Sequence, residues 1–303
     1  METFSADSIP DQTGKTAVVT GANSGLGLQT ALALAAKGAR VELACRDGQR
    51  GAAAQQRIRD ETGNDDVRVR RLDLGSLESV RSFAAGQEAP VDLLINNAGV
   101  MATPHRTTAD GFELQFGVNH LGHFALTGLL LPALRAAPAP RVVTVSSLAH
   151  RGGRMEWNDL GAERSYRPWP RYNQSKLANL LFTFELHRRL NARGENLIAA
   201  AAHPGFANTN LTSGMNHPAT LDLLGAFFRL LGQSGSLGAL PTLYAATAPD
   251  VRGGQFYGPG GPGQLRGRPT LVTPAPQALD PEAARRLWDI SAELTGVQFA
   301  GLE

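Results

Sequence analysis

A chain of 303 residues, 42% of them hydrophobic, is long enough to bury a large core, as two domains or as one large α/β domain. Its 29 lysines and arginines against 27 acidic residues give no polycationic surface, which argues against nucleic acid as the main partner. Cys45 is the sole cysteine, so an internal disulfide and a multi-cysteine metal site are excluded, and a reducing, cytoplasmic setting fits.

Residues 1–13 are polar and lack the basic-then-apolar order of a secretion signal, so a loose N-terminal tail is expected. From there, short β-branched runs alternate with longer helix-like stretches. Strands are expected at 17–20, 40–44, 67–72, 91–95, 141–146 and 197–202, with 255–257 as a seventh. Helices are expected near 26–37, 49–60, 77–85, 112–135 and 172–193. Nothing in composition divides residues 14–303, and the longest apolar run, 124–134, is too short to span a bilayer. The expectation is a single α/β domain with a Rossmann-type, doubly wound parallel sheet and helices on both faces, and ligands bound at the strands' carboxyl ends.

The first strand runs into Thr20-Gly21-Ala22-Asn23-Ser24-Gly25-Leu26-Gly27, which opens a helix. Glycines there let the backbone approach a pyrophosphate, whose charge a helix N-terminus favours. At the tip of the second strand, where an acidic residue would hold the adenosine ribose hydroxyls, stand Ala44, Cys45 and Arg46. A guanidinium there suits a 2′-phosphate, so NADP(H) is expected over NAD(H).

Tyr172 and Lys176 stand four residues apart, on one face of a helix. An ammonium at about 4 Å, with an effective dielectric of about 20, is worth roughly 4 kcal/mol, which would bring the phenol near working pH. His120 and His123 also share a helix face, but no third ligand lies at metal spacing, and no metal is expected.

Thr20 to Gly27, Asp73-Leu74, Asn96-Asn97-Ala98-Gly99, Val118-Asn119-His120, Ser146-Ser147, Tyr172 to Lys176 and Pro204-Gly205 occur in the order found in short-chain dehydrogenases/reductases, and residues 14–260 resemble that family. The runs 44–47, 119–124 and 175–179 look like its retinol dehydrogenase and WW-domain oxidoreductase branch. Protochlorophyllide reductases are also similar, but they carry a cysteine after the Pro-Gly pair where this chain has Phe206, which argues against light-driven reduction.

The resemblance implies that Tyr172 is the general acid or base. It further implies that Lys176 lowers the tyrosine's pKa and holds the nicotinamide ribose, that Ser147 rather than Ser146 positions the substrate oxygen, and that Asn119 pins a water linking Lys176 to solvent. Gly21, Asn23, Ser24, Gly25, Leu26, Gly27 and Arg46 would bind the cofactor. So would Asp73 and Leu74 at the adenine, Asn97, Ala98 and Gly99 along the cleft, and Pro204, Gly205 and Thr209 at the nicotinamide. Residues 151–170, longer than in most of the family, would form a loop at the site mouth.

The implied reaction is hydride transfer between nicotinamide and a small-molecule carbonyl or alcohol. The apolar run from Leu221 to Leu231, a lid or a packed helix, would make the substrate an apolar aldehyde, ketone or secondary alcohol. The alternative is a catalytically silent NADP(H)-binding sensor or interaction protein. The helices at 112–134 and around Tyr172 resemble those through which family members pair, so a homo-oligomer, dimer or tetramer, is expected. A last helix at 281–294 would dock Leu287, Trp288 and Leu294 on the body, capped by Asp280 and started by Pro281.

Overall fold

The computed structural model describes residues 4–206 and 234–303. Thr209 and the apolar 221–231 stretch lie outside the described residues.

The strands are β1 (Thr16–Thr20), β2 (Arg40–Cys45), β3 (Val67–Arg71), β4 (Leu93–Asn96), β5 (Arg141–Val145), β6 (Ile198–Ala202), β7 (Phe256–Pro259) and β8 (Pro269–Leu271). They form one sheet in the order β3-β2-β1-β4-β5-β6-β7-β8. The first seven pair in parallel and β8 is antiparallel to β7. Successive side chains of a strand face opposite ways, and β1 shows the result: Ala17 and Val19 join one core while Val18 joins the other. Both faces are therefore apolar and both must be covered.

On one face lie α1 (Gly25–Ala35), α2 (Gly48–Thr62) and α7 (Gly235–Thr247). On the other lie α3 (Leu77–Ala85), α5 (Gly122–Arg135), α6 (Pro168–Ala192) and α8 (Pro281–Thr295). The stretch expected as one helix at 112–135 is divided. A short α4 (Leu114–Phe116) passes into a π turn (Gly117–Leu121), where the Gly122 amide reaches back five residues to the Gly117 carbonyl, and then into α5. Such wide turns often mark functional positions. The strand order reverses between β1 and β4, so the loops after these strands form the crevice that holds the site.

Four expectations need correction. Residues 4–13 are not a loose tail: Ile9 is only 3% exposed, and Phe4 packs edge-on to Tyr244 at 4.8 Å. The sheet has an eighth strand, too short at three residues to show a period. Helix α7 was not expected, because Pro241 inside it reads as a breaker. In α8, Leu287 and Trp288 are buried as anticipated, but Leu294 is exposed and Ala284, Ser291 and Thr295 complete the packed face.

The chain beyond α8 folds back as a plug. Phe299 lies 4.9 Å from the Phe124 ring and 4.5 Å from that of Trp288, with Val297 and Leu302 beside it. Gly128 provides its groove, since a Cβ there would come within 2.7 Å of the Phe299 ring. Phe299→Ala is expected to cost about 3–5 kcal/mol of stability, read as a lowered denaturant midpoint at unchanged slope.

Candidate active site

The crevice begins at the end of β1. Gly21 and Gly25 have φ of +65° and +55°, conformations that side chains disfavour, and they bend the chain into α1. Gly27 has no room for a side chain: a Cβ would sit 2.5 Å from both the Asn97 amide nitrogen and the Gly21 carbonyl oxygen. Ser24 is the N-cap of α1, yet its side chain caps no amide among the described residues, and the first turn carries no acid. The helix's leading N–H groups thus suit an anion, and the narrow glycine cradle fits a dinucleotide's pyrophosphate. Cys45 accepts hydrogen bonds from the Ala22 and Asn23 amides beneath this loop, and burial pushes its thiol up to about 11, where it is unreactive.

At the far end, Arg46 is exposed and has no carboxylate within ion-pair distance among the described residues. Asp47 is engaged elsewhere, capping the Arg50 amide at 3.0 Å and pairing with its guanidinium at 3.5 Å. Arg71 stands beside Cys45 in the sheet register. Asp73 accepts from the Gly75 amide at 2.9 Å and borders a cavity of about 560 Å³ lined also by Arg71, Ser76 and Ser79. Leu74 is buried against Gly122, where a Cβ would come 2.4 Å from the Leu74 carbonyl oxygen. A second cavity, about 600 Å³, opens between Gly152, Trp157 and Asp280 and includes none of the expected catalytic residues.

The β4 loop closes the cradle from beside. The Asn97 and Ala98 amides both donate to the Thr20 hydroxyl at 2.9 Å, and the Asn97 side chain donates to the Thr20 carbonyl at 2.8 Å. Asn96 is fully buried and donates to Thr127 at 3.0 Å, which makes it a brace of the sheet. At the end of β6, Gly205 has φ of +67° and lies so close to the Leu265 carbonyl that a Cβ would approach to 2.5 Å.

Ser147, Tyr172, Lys176 and Asn119 converge between these walls. Ser147 follows β5, and its side chain is near enough to the Tyr172 phenol to favour the ionised form. Ser146 is turned away, donating to the Lys176 carbonyl at 2.8 Å. Tyr172 and Lys176 share one face of α6, with the amine 5.7 Å from the phenol ring centre and donating to the Val145 carbonyl at 3.3 Å. A Cβ on Gly99 would meet the Asn119 side-chain oxygen at 3.1 Å and the Lys176 amine at 3.4 Å, so a glycine keeps this space open. Asn119, in the π turn, donates to the Val100 carbonyl and to Ser175, each at 2.9 Å, and accepts from the Val100 amide at 2.8 Å.

The charge state differs from the expectation that the lysine would bring the phenol near working pH. Burial pushes Tyr172 up to about 12, and the neighbouring Ser147 hydroxyl pulls the other way. Burial likewise pushes Lys176 down to about 8. Both groups are almost wholly out of water, and the desolvation that each suffers outweighs the attraction of an amine directed at Val145.

The segment expected as a loop at 151–170 is shorter than that, since a 3-10 turn reaches Gly152 and α6 begins at Pro168; residues 153–167 between them are fastened by Arg171. This buried guanidinium bonds the Asp159 carboxylate at 2.5 Å, the Asp159 carbonyl at 2.6 Å and the Ser165 carbonyl at 2.8 Å. Tyr166 stacks on His105 and donates to the Thr103 carbonyl at 2.6 Å. Trp169, 50% exposed, stands edge-on to Tyr172 with ring centres 6.2 Å apart.

Three histidines were not read as part of the site. His150 donates to the Ser147 carbonyl at 2.6 Å and accepts from the Ala275 amide at 3.1 Å. His203 accepts from the Gly205 amide at 3.1 Å and donates to Gln264 at 3.0 Å. His123 bonds both Thr20 and the Asn119 carbonyl. Their nearness in sequence to Ser147, Pro204-Gly205 and Asn119 was the available signal; their partners lie too far along the chain to be read.

The short chain dehydrogenase family profile matches residues 15–219. Human retinol dehydrogenase 13 is 49% identical over 295 residues, covering 94% of this chain and 86% of that protein. Human retinol dehydrogenase 12 is 42% identical over 291 residues, covering 94% and 88%. A crystal structure of an uncharacterised protein from Mycobacterium paratuberculosis superposes with a TM-score of 0.83 at 46% identity, covering 98% of this chain and 99% of that one.

Proposed function

The chain belongs to the short-chain dehydrogenase family, and we propose that it is an NADP(H)-dependent oxidoreductase acting on an apolar aldehyde, ketone or secondary alcohol in a reducing cytoplasm. The observation that carries this reading is the Ser147 side chain set beside the Tyr172 phenol, on the helix face that Tyr172 shares with Lys176.

Bound nicotinamide would supply or accept hydride at the substrate carbon. Ser147 and Tyr172 would hold the substrate oxygen, and a phenol that keeps its proton at neutral pH is the form needed to protonate that oxygen in reduction. In oxidation the same phenol must first lose its proton, a change that the ammonium form of Lys176 on the same face favours. Gly21, Gly25 and Gly27 would admit the pyrophosphate, with Asp73 and Leu74 at the adenine and Pro204-Gly205 under the nicotinamide.

The Arg46 guanidinium supports NADP(H), because among the described residues no carboxylate pairs with it in competition with a 2′-phosphate. The exposed Trp169 beside Tyr172 supports an apolar substrate, as do relatives named retinol dehydrogenases. The test is the ratio of kcat/KM for NADPH to that for NADH across a panel of carbonyls and alcohols. Arg46→Ala is expected to lower that ratio by about 10- to 100-fold, the worth of a charge-assisted contact. An NADH preference in the parent protein, or turnover confined to small charged carbonyls, would overturn the assignment.

A further inference from the structure

His123 lies at the junction of the π turn and α5, is 1% exposed, and plays no part in the acid–base reading. Its Nδ1 is 3.0 Å from the Asn119 carbonyl oxygen and its Nε2 is 2.9 Å from the Thr20 hydroxyl. A carbonyl only accepts, so Nδ1 carries the proton. Burial pushes this imidazole down to about 4, so at neutral pH Nε2 is a bare acceptor. The Thr20 hydroxyl can then donate to Nε2 while accepting from the Asn97 and Ala98 amides; its rival acceptor, the Ile95 carbonyl, is farther away at 3.2 Å.

The bonds continue on the other side. Asn119 reaches Ser175 at 2.9 Å, and Ser175 donates to the Tyr172 carbonyl at 2.8 Å. An unbroken chain, Thr20–His123–Asn119–Ser175–Tyr172, therefore runs from the cofactor cradle to the backbone of the proposed acid. Of its links, His123 is the one that joins the β1 end to the π turn.

Granted the roles given to Tyr172 and the glycine cradle, we propose that His123 is a positioning residue that holds the cradle and the catalytic helix at a fixed separation. Hydride and proton must reach one carbonyl group from these two sides, and small misplacements of either are costly to rate. A histidine that only filled space could be replaced by an apolar side chain without a specific effect on chemistry.

The experiment compares His123→Leu with His123→Gln, whose amide can donate to one partner and accept from the other. His123→Leu is expected to lower kcat by about 10- to 100-fold with little change in substrate KM, and to raise the primary isotope effect with 4-deuterated NADPH. NADPH affinity by fluorescence titration should weaken, because the Thr20 hydroxyl is released. His123→Gln should recover most of kcat and of cofactor affinity. The proposal is overturned if His123→Leu, normalised to NADPH-binding sites, keeps the parent's kcat and isotope effect. It is equally overturned if the glutamine variant folds with parental thermal stability yet recovers neither kcat nor NADPH affinity, a result that stands even where the leucine variant does not fold. Tyr172→Phe measured alongside separates the two readings: if it keeps turnover, the acid–base assignment fails, whereas a dead Tyr172→Phe with a parent-like His123→Leu removes only the positioning role.

Discussion

Tyr172→Phe is expected to lower kcat by about 10²- to 10⁴-fold, the usual worth of a positioned proton donor. The ring remains, so its edge-on contact with Trp169 and its burial in the crevice remain too. What disappears is one hydroxyl, the group that lies beside Ser147. NADPH binding should stay close to the parent's, because the glycine cradle and Arg46 are untouched, and thermal stability should change little. Single-turnover measurements with saturating NADPH would isolate the chemical step. Persistence of that step at the parental rate would mean that the proton comes from elsewhere.

The second large effect concerns acid. His120, His123 and His203 are buried and their imidazoles are pushed down to about 3, 4 and 4, chiefly because burial disfavours the charged ring. In the unfolded chain each returns to about 6.5. Between those values the unfolded state binds protons that the folded state refuses, so the stabilising contribution is complete above pH 6.5 and declines as pH falls toward 4. Each histidine accounts for at most about 1.4 kcal/mol per pH unit, and the three together for about 4. A fold of ordinary stability, about 5–15 kcal/mol, would be exhausted within a few pH units. Glu113 acts in the opposite sense, since burial raises its carboxyl, but it is a single group.

The expected result is a denaturant midpoint that is flat above pH 7 and falls steeply between pH 6.5 and 4. His120 permits a sharper test. It sits among Phe116, Phe124 and Phe182, and among the described residues it bonds Ser291 alone and leaves its Nδ1 without a partner. His120→Phe should therefore lessen the pH slope at modest cost in stability at pH 8. A midpoint that does not move between pH 7 and pH 5 would refute the histidine account.

Much of this site could be read from local pattern. The limits of the expected strands fell within one or two residues because most of them are short apolar runs bounded by turn residues, and the Tyr172–Lys176 spacing, the glycine turn and Arg46 at the tip of β2 are all features of neighbouring residues. What escaped depends on residues distant in sequence. The electrostatics of Tyr172 were misjudged because a charge pair can be seen in a sequence whereas its desolvation cannot. The histidine bonds link position 123 to 20, 150 to 275 and 203 to 264, and no spacing rule connects them. Strand β8 was hidden for a related reason: three residues acquire their conformation from β7, not from themselves.

The Phe299 plug bears on assembly. Pairing was expected through the helix at 112–134 and the one bearing Tyr172, yet within this chain Trp288, Val297, Phe299 and Leu302 already lie over Phe124, Leu130, Leu134 and Phe182. The C-terminal strap thus covers apolar side chains of both helices from within the same chain. Removing the strap would lay those side chains bare to solvent and turn a covered face into an adhesive one.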